Sequence, residues 1–355
     1  MSSKDRARRT AVEIAFGGVD ITTSIRPYLL SVSYTDNEED EADDLQIKIQ
    51  DRDGVWVEKW LANAIEAAAD ATGLKIQAIF LRENWYGDGA DKLLDCGAFE
   101  LDSIKASGPP STITIKGTSL PYGAQIRQTK KTKAWESYAL SGIAREIAGN
   151  GGMVCMYESA SDPYYERVEQ YKESDISFLS KLCHNAGISL KSTNNLLVLF
   201  DQQTYEQKSP IFTVKKGDGS YTKYDLSIGT ADTKYSSCRV RYVDPSTGIV
   251  IEGIAYSDDY KEGSKNNQQL EVTAKVANAG EAKTLAAKRL RLHNKYSRTA
   301  NFTFPGDPDK MAGVTAMLAG WGSWDGKYIV MQSKHSLSAS GYTTQVTLRR
   351  VVEGY

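Results

Sequence analysis

Alternation of apolar and polar residues recurs at both ends of this chain, and it constrains the fold more than any other feature. Val12, Ile14 and Phe16 lie on one face of an extended segment; a Gly17-Gly18 pair follows, and Val19 and Ile21 resume the pattern. This is a hairpin signal, because strand side chains alternate faces and a glycine pair supplies the positive φ of a tight turn. The same reading predicts strands at 29–34, 45–50, 74–81, 93–104 and 112–116. It returns in "RVRYVD" (239–244) and "GIVIEGIAY" (248–256). The last 55 or so positions hold three more strand candidates, "NFTF", "KYIVMQSKH" after an Asp325-Gly326 turn, and "YTTQVTLRRV" after Gly341.

Helical periodicity is confined to a few places. Trp56, Trp60, Leu61 and Ile65 give one apolar face that ends at Gly73. Trp135, Tyr138, Ala139, Gly142, Ile143 and Ile147 predict a helix that stops at "GNGG" (149–152). Another starts at Ser174, an N-cap with Asp175 in the first turn. It buries Ile176, Leu179, Leu182 and Cys183 and ends at Gly187, and a strand at 196–200 follows. Asn278 with Glu281 three residues on resembles a capping box for a helix with Ala282, Leu285, Ala286 and Leu290 as its stripe. The expectation is a mainly β protein with an α/β insertion: a β unit at 1–118, an α/β module at 119–205 and a second β unit at 206–355. The layout is pseudo-repeated, without a visible sequence repeat.

Chemistry is sparse. Forty-three Lys and Arg against 45 Asp and Glu leave a net charge of −2, without the basic surplus that neutralises phosphates. Cys96, Cys155, Cys183 and Cys238 are scattered, with no Cys-x-x-Cys pair and no His at ligand spacing, so neither zinc nor a disulfide framework is expected. "MSSKDRARRT" lacks an apolar signal region, and the weakly polar run 311–322 is too short to span a bilayer. The chain is expected to be made and kept in the cytosol unless it leaves as part of a larger particle. "GSWDGKY" (322–328) has the wrong spacing for a phosphate loop and reads as a hairpin turn. Of three histidines, His184 diverges from its neighbour Cys183 on a helix, and Cys183 reads as core. His335 ends a strand without a catalytic partner. His293 lies near a helix end with Lys288, Arg289, Arg291 and Lys295, cations that a helix macrodipole accounts for without nucleic acid.

One run stands apart. "DNEEDEADD" (36–44) holds seven carboxylates in nine residues: Asp36, Glu38, Glu39, Asp40, Glu41, Asp43 and Asp44. An EF-hand loop needs a glycine at its sixth position, which is absent. Lying between strands 29–34 and 45–50, the run is expected to be a solvated charged connection, and these seven residues are the candidate interface.

Together with several other motifs, this run resembles the phage late control D family, baseplate hub proteins of contractile tails, over most of the chain. An acidic stretch ending at Asp44 leads into "LQIKIQDRD", Trp56 and Trp60. Trp135 precedes "SGIAREIA", and "EQYKESDISFLSKLCHNAGISL" (169–190) carries Gln170, Ser174, Asp175, Phe178, Leu179 and Gly187. "FPGDPDKMAG" is followed by Gly326, Tyr328, Val330, His335, Tyr342, Thr344, Leu348 and Arg349. The Ala-rich "LANAIEAAADATG" departs from the Pro-Gly turn of many members. The resemblance implies two β-barrel-like domains related as a pseudo-repeat around an α/β part, and a homotrimeric ring that adapts a sixfold tail tube to a threefold central spike. Expected partners are the spike, the tube and a tube-initiating neighbour, with DNA passing unbound; no enzyme activity, cofactor or metal is implied. The acidic run would face the lumen or a basic patch on a neighbouring subunit. Competing readings are a tail-associated cell-wall hydrolase or carbohydrate-binding component, and the hub portion of a type VI-like spike.

Overall fold

The structure, a computed structural model, describes residues 7–54, 74–86, 90–120, 126–127, 129–193, 195–229, 234–258, 260–265 and 267–351. The expected helix at Trp56, Trp60, Leu61 and Ile65, with its stop at Gly73, lies outside the described residues.

The expected hairpin opens the chain, with β1 (Arg9–Phe16) and β2 (Val19–Asp20) turning at Gly17 and Gly18, both at positive φ. A single helical turn, α1 (Thr22–Ile25), leads to β3 (Leu29–Asn37), β4 (Asp44–Gln50), β5 (Lys75–Glu83), β6 (Lys92–Ser107) and β7 (Thr112–Thr118). Their inward positions, among them Tyr34, Ile47, Phe80, Phe99 and Ile115, form one core.

The α/β module corrects one expectation. Residues 131–139 are a strand, β8 (Lys131–Ala139), and the helix α2 (Leu140–Asn150) begins only at Leu140. Ser137 takes a left-handed φ of 57°, which shifts the alternation and lets Trp135 and Tyr138 meet the same core from three residues apart. A kinked strand thereby imitates helical spacing. Then come β9 (Val154–Glu158), β10 (Tyr164–Glu173), α3 (Asp175–Ala186), β11 (Ser189–Thr193), β12 (Leu196–Phe200) and α4 (Gln202–Glu206). The α3 boundaries follow the sequence signals: Ser174 accepts from the Ser177 N–H, and Gly187 caps the end at φ 70°. The motif residues Gln170 and Asp175 are both buried and hydrogen-bonded to each other at 2.8 Å, so they brace this helix start.

The C-terminal part comprises β13 (Phe212–Lys215), β14 (Lys223–Ile228), β15 (Ser237–Val243), β16 (Val250–Tyr256), β17 (Gln269–Thr273), α5 (Ala279–Asn294), β18 (Arg298–Pro305), β19 (Thr315–Ala319), β20 (Gly326–Ser338) and β21 (Gly341–Arg350). Strands β15 to β17 form a separate three-stranded sheet under α5, with its own core of Cys238, Val240, Ala282, Ala286 and Leu290. Asn278 caps α5 by accepting the Glu281 N–H at 2.9 Å, while the Glu281 carboxylate accepts from Ala277 N at 2.7 Å. The "GSWDGKY" segment is the β19–β20 connection, as read from its spacing.

The two β units share one topology. In the first, leaving aside the two-residue hairpin strand β2 beside β1, the strands lie side by side in the order β3-β4-β7-β6-β5-β1; in the second, β14-β18-β21-β20-β19-β13. Numbering each set of six by chain position gives the same permutation, 2-3-6-5-4-1. The match extends to detail: β6 where it faces β7, and β20 where it faces β21, each carry one irregularity, between Leu101 and Ser103 and between Val330 and Gln332. The departure is the sixth strand, antiparallel for β1 on β5 and parallel for β13 on β19. The units join edge to edge where β3 pairs antiparallel with the second half of β20, making one 13-stranded sheet.

Candidate functional site: a buried charge junction

Beside that joint lies the acidic run, and the structure corrects its expected solvation. Asp36, Glu38 and Asp43 are buried, Glu39 is nearly so, and only Asp40, Glu41 and Asp44 are exposed. A carboxylate out of water requires cationic or N–H partners, and each buried one has them. Asp36 accepts from Lys191 Nζ at 2.6 Å and from Ala312 N at 2.8 Å. Asp43 accepts from Asn37 N at 2.9 Å and from Thr193 Oγ1 at 2.6 Å. Glu39 pairs with Lys295 and accepts from Gln202 Nε2. Glu38 receives Arg349 on both oxygens, at 2.9 and 3.2 Å, and its N–H donates to Met331 O, the residue skipped by the β20 irregularity. The Arg349 guanidinium also pairs with Glu206, which pairs in turn with Arg291.

The run therefore binds the chain to itself. Lys191 and Thr193 belong to the α/β module, Lys295 and Arg291 to the end of α5, Arg349 to the final strand and Glu206 to the helix before the second β unit. The basic cluster that the sequence assigns to the helix macrodipole keeps Arg291 and His293 in the last turn of α5, and its cations also have specific partners. Lys288 pairs with Asp201 at 2.8 Å, Arg289 donates to His184 O at 2.7 Å, and Arg291 and Lys295 enter the junction. A cleft of about 310 Å³ beside Lys288 and Asp201 is the seam between α5 and the module, and that ion pair lines it. A second tie uses the "GDPDK" motif. Arg82 donates to Gly306 O at 2.8 Å and pairs with Asp307, which also holds Lys310.

Burial and charge oppose each other here. Burial pushes the Glu38 carboxyl above its usual range, with Arg349 offsetting part of the rise. For Glu39 burial acts in the same direction and is the largest single influence, but Lys295, Ser189 and Arg349 together outweigh it and hold the carboxyl low. Asp43 is pushed up to about 6 by burial, against the attraction of Lys191. A carboxyl raised on folding gives stability that is full below its unfolded value of 3.8 and is lost as pH rises through about 6. Asp43→Asn, which cannot ionise, should gain on the parent chain as pH rises from 4 to 7. Urea midpoints at the two ends of that window check the sign, and a constant difference would mean that Asp43 stays ionised throughout.

His335, placed by sequence at a strand end with a structural role, is fully buried within the first unit's side of the joint. Its Nδ1 lies 2.7 Å from Tyr342 Oη and its Nε2 3.0 Å from Ser333 Oγ, and burial pushes it down to about 4. Cys183 is core, with a thiol raised by burial. Among the described residues no cluster of three or more His, Cys, Asp or Glu could hold a metal, and no helix is long and apolar enough to cross a membrane. What the geometry offers instead is open sheet edge. Among the described residues, strand β14 ends the large sheet and pairs only with β18, with Tyr224 and Ile228 54% and 45% exposed.

No family model matches the chain. It is 22% identical over 381 residues to the probable baseplate hub protein of Escherichia phage 186, covering 95% of this chain and 92% of that protein. To the probable baseplate hub protein of Escherichia phage P2 it is 25% identical over 233 residues, 64% of this chain and 55% of the relative. Among solved structures, the 43 kDa tail protein of prophage MuSo2 from Shewanella oneidensis superposes with a TM-score of 0.67 at 13% identity, covering 96% of this chain and 97% of that one. A component of the Escherichia coli type VI secretion system shares the fold at a TM-score of 0.55 and 13% identity, covering 92% and 75%. The late control D resemblance and the mainly β class both stand on these likenesses.

Proposed function

We propose that this chain, a relative of phage baseplate hub proteins along 95% of its length, is the structural hub of a contractile phage tail or phage-tail-like particle. It acts as a homotrimeric ring that adapts a sixfold tube to a threefold spike. The observation that carries this reading is the doubled topology: one chain holds two six-stranded units of one strand order, already joined edge to edge. Three such chains present six similar units and three identical ones, which is what a sixfold-to-threefold adaptor requires. The buried carboxylates Asp36, Glu38, Glu39 and Asp43 are spent on internal ties, which supports a framework protein rather than an enzyme. The central spike and the tail tube or its initiator are the partners this role needs, within a baseplate assembled in the bacterial host. DNA would pass through without specific contacts. Of the acidic run, the exposed Asp40, Glu41 and Asp44 would be the ones to meet a lumen or a neighbour.

Size-exclusion chromatography with light scattering, at several salt concentrations, tests the reading. The expected mass is three times 39.1 kDa, alone or with the spike. A stable monomer that releases sugar or peptide from cell walls would sink it.

A further inference from the structure

The doubled topology also specifies how one copy meets the next. Inside the chain, β3 of the first unit lies on the second half of β20. The counterparts are β14 for β3 and β6 for β20, and both have open edges facing the equivalent way. Strand β5 pairs with β6 only as far as Glu100, so the edge of 102–107 opposite β7 carries no strand among the described residues. Among the described residues, strand β14 pairs on one side only. Each open edge is therefore one half of the joint that the chain has already made once. We infer that β14 of one chain pairs antiparallel with 104–107 of β6 in the next copy, reproducing the β3–β20 joint between molecules.

Register follows from the ladders. Tyr34 pairs with Leu45, Leu45 with Gly117 and Gly117 with Leu101. In the second unit Leu226 pairs with Ala300, Ala300 with Leu348 and Leu348 with Val330. Leu101 and Val330 both immediately precede the irregularity facing β7 and β21 respectively, so Leu226 stands where Tyr34 does, and Ala106 stands where His335 does. Since Tyr34 faces His335 and Thr35 faces Lys334, Leu226 faces Ala106 and Ser227 faces Lys105 in the next copy. One step on, Ile228 meets Ile104, covering an apolar side chain that is 45% exposed on an otherwise open edge. Such edges are normally capped, and a head-to-tail contact repeated by rotation caps them all when the ring closes.

This proposal rests on the trimeric hub reading for the number of copies, and cross-linking separates the two. Lys105→Cys with Ser227→Cys, both exposed positions, is introduced into the full chain together with Cys155→Ser, the other three cysteines being buried. Mild oxidation should give covalent dimers and trimers and nothing larger on a non-reducing gel. Lys105→Cys with Lys223→Cys, four residues out of register, should link at least tenfold less. A trimer by light scattering that links poorly, or equally at both pairs, overturns the pairing and leaves the hub intact. A monomer at every concentration with no cross-link overturns both.

Discussion

Replacing Arg349 by Met should cost about 3–5 kcal/mol, the effect of stranding a buried charge. The side chain is fully buried, holds both oxygens of Glu38 and pairs with Glu206. Glu206 keeps Arg291, but Glu38 loses both hydrogen bonds of its carboxylate and is left with the more distant pull of Lys295 against its burial. Against a typical total of about 5–15 kcal/mol, such a loss decides whether the chain folds at 37 °C. The partner test is Glu38→Leu in the same chain. Removing both ends leaves no unpaired charge between them and should recover most of the loss, because a buried pair is often replaceable by apolar residues. Urea midpoints for the four chains of this cycle measure the coupling. A loss below about 1 kcal/mol for the single variant would mean that water reaches Glu38.

Gly253→Ala should cost at least about 3 kcal/mol, the upper end of overpacking. A Cβ there would fall 2.2 Å from Lys283 N and 2.5 Å from the Ala282 carbonyl carbon, both backbone atoms of α5. No side chain can rotate away, so the helix itself must lift from β16. Because α5 carries Arg291 and Lys295 at its far end, lifting it also loosens the charge junction. Gly149→Ala is the contrasting case: its Cβ would meet nothing within 4 Å, and the change should stabilise α2 by up to about 1 kcal/mol. Thermal unfolding of both variants checks the contrast; similar melting points would show that α5 packs more loosely than the geometry requires.

The alternating strands at both ends were legible because each buries one face, so period two is written into the side chains. The Ser174 and Asn278 caps and Gly187 were legible because capping is local chemistry. Strand β14 was not, since nearly all its residues are exposed on an edge and no alternation is needed. Residues 131–139 misled because a left-handed Ser137 put Trp135 and Tyr138 on one side. The acidic run misled for a different reason. Its cations stand 155 positions away in Lys191, 256 in Lys295 and 311 in Arg349, beyond any local pattern. The doubled topology likewise resides in hydrogen-bond order, which unlike side chains can satisfy equally well.

The β3–β20 joint has a consequence for synthesis. Strand β3 is complete at Asn37, while the strand that covers its edge ends at Ser338, so roughly 300 residues must be translated before the two can meet. At about 5–20 residues per second, that edge waits on the order of 15–60 s on the ribosome, where open strands from neighbouring polysomes could add to it. For most of the wait Lys295 does not yet exist, and Arg349 does not exist until after it, so Glu38 and Glu39 face water and repel their counterparts on other nascent chains. The same residues that later disappear into the junction thus serve first as gatekeepers of an unfinished sheet.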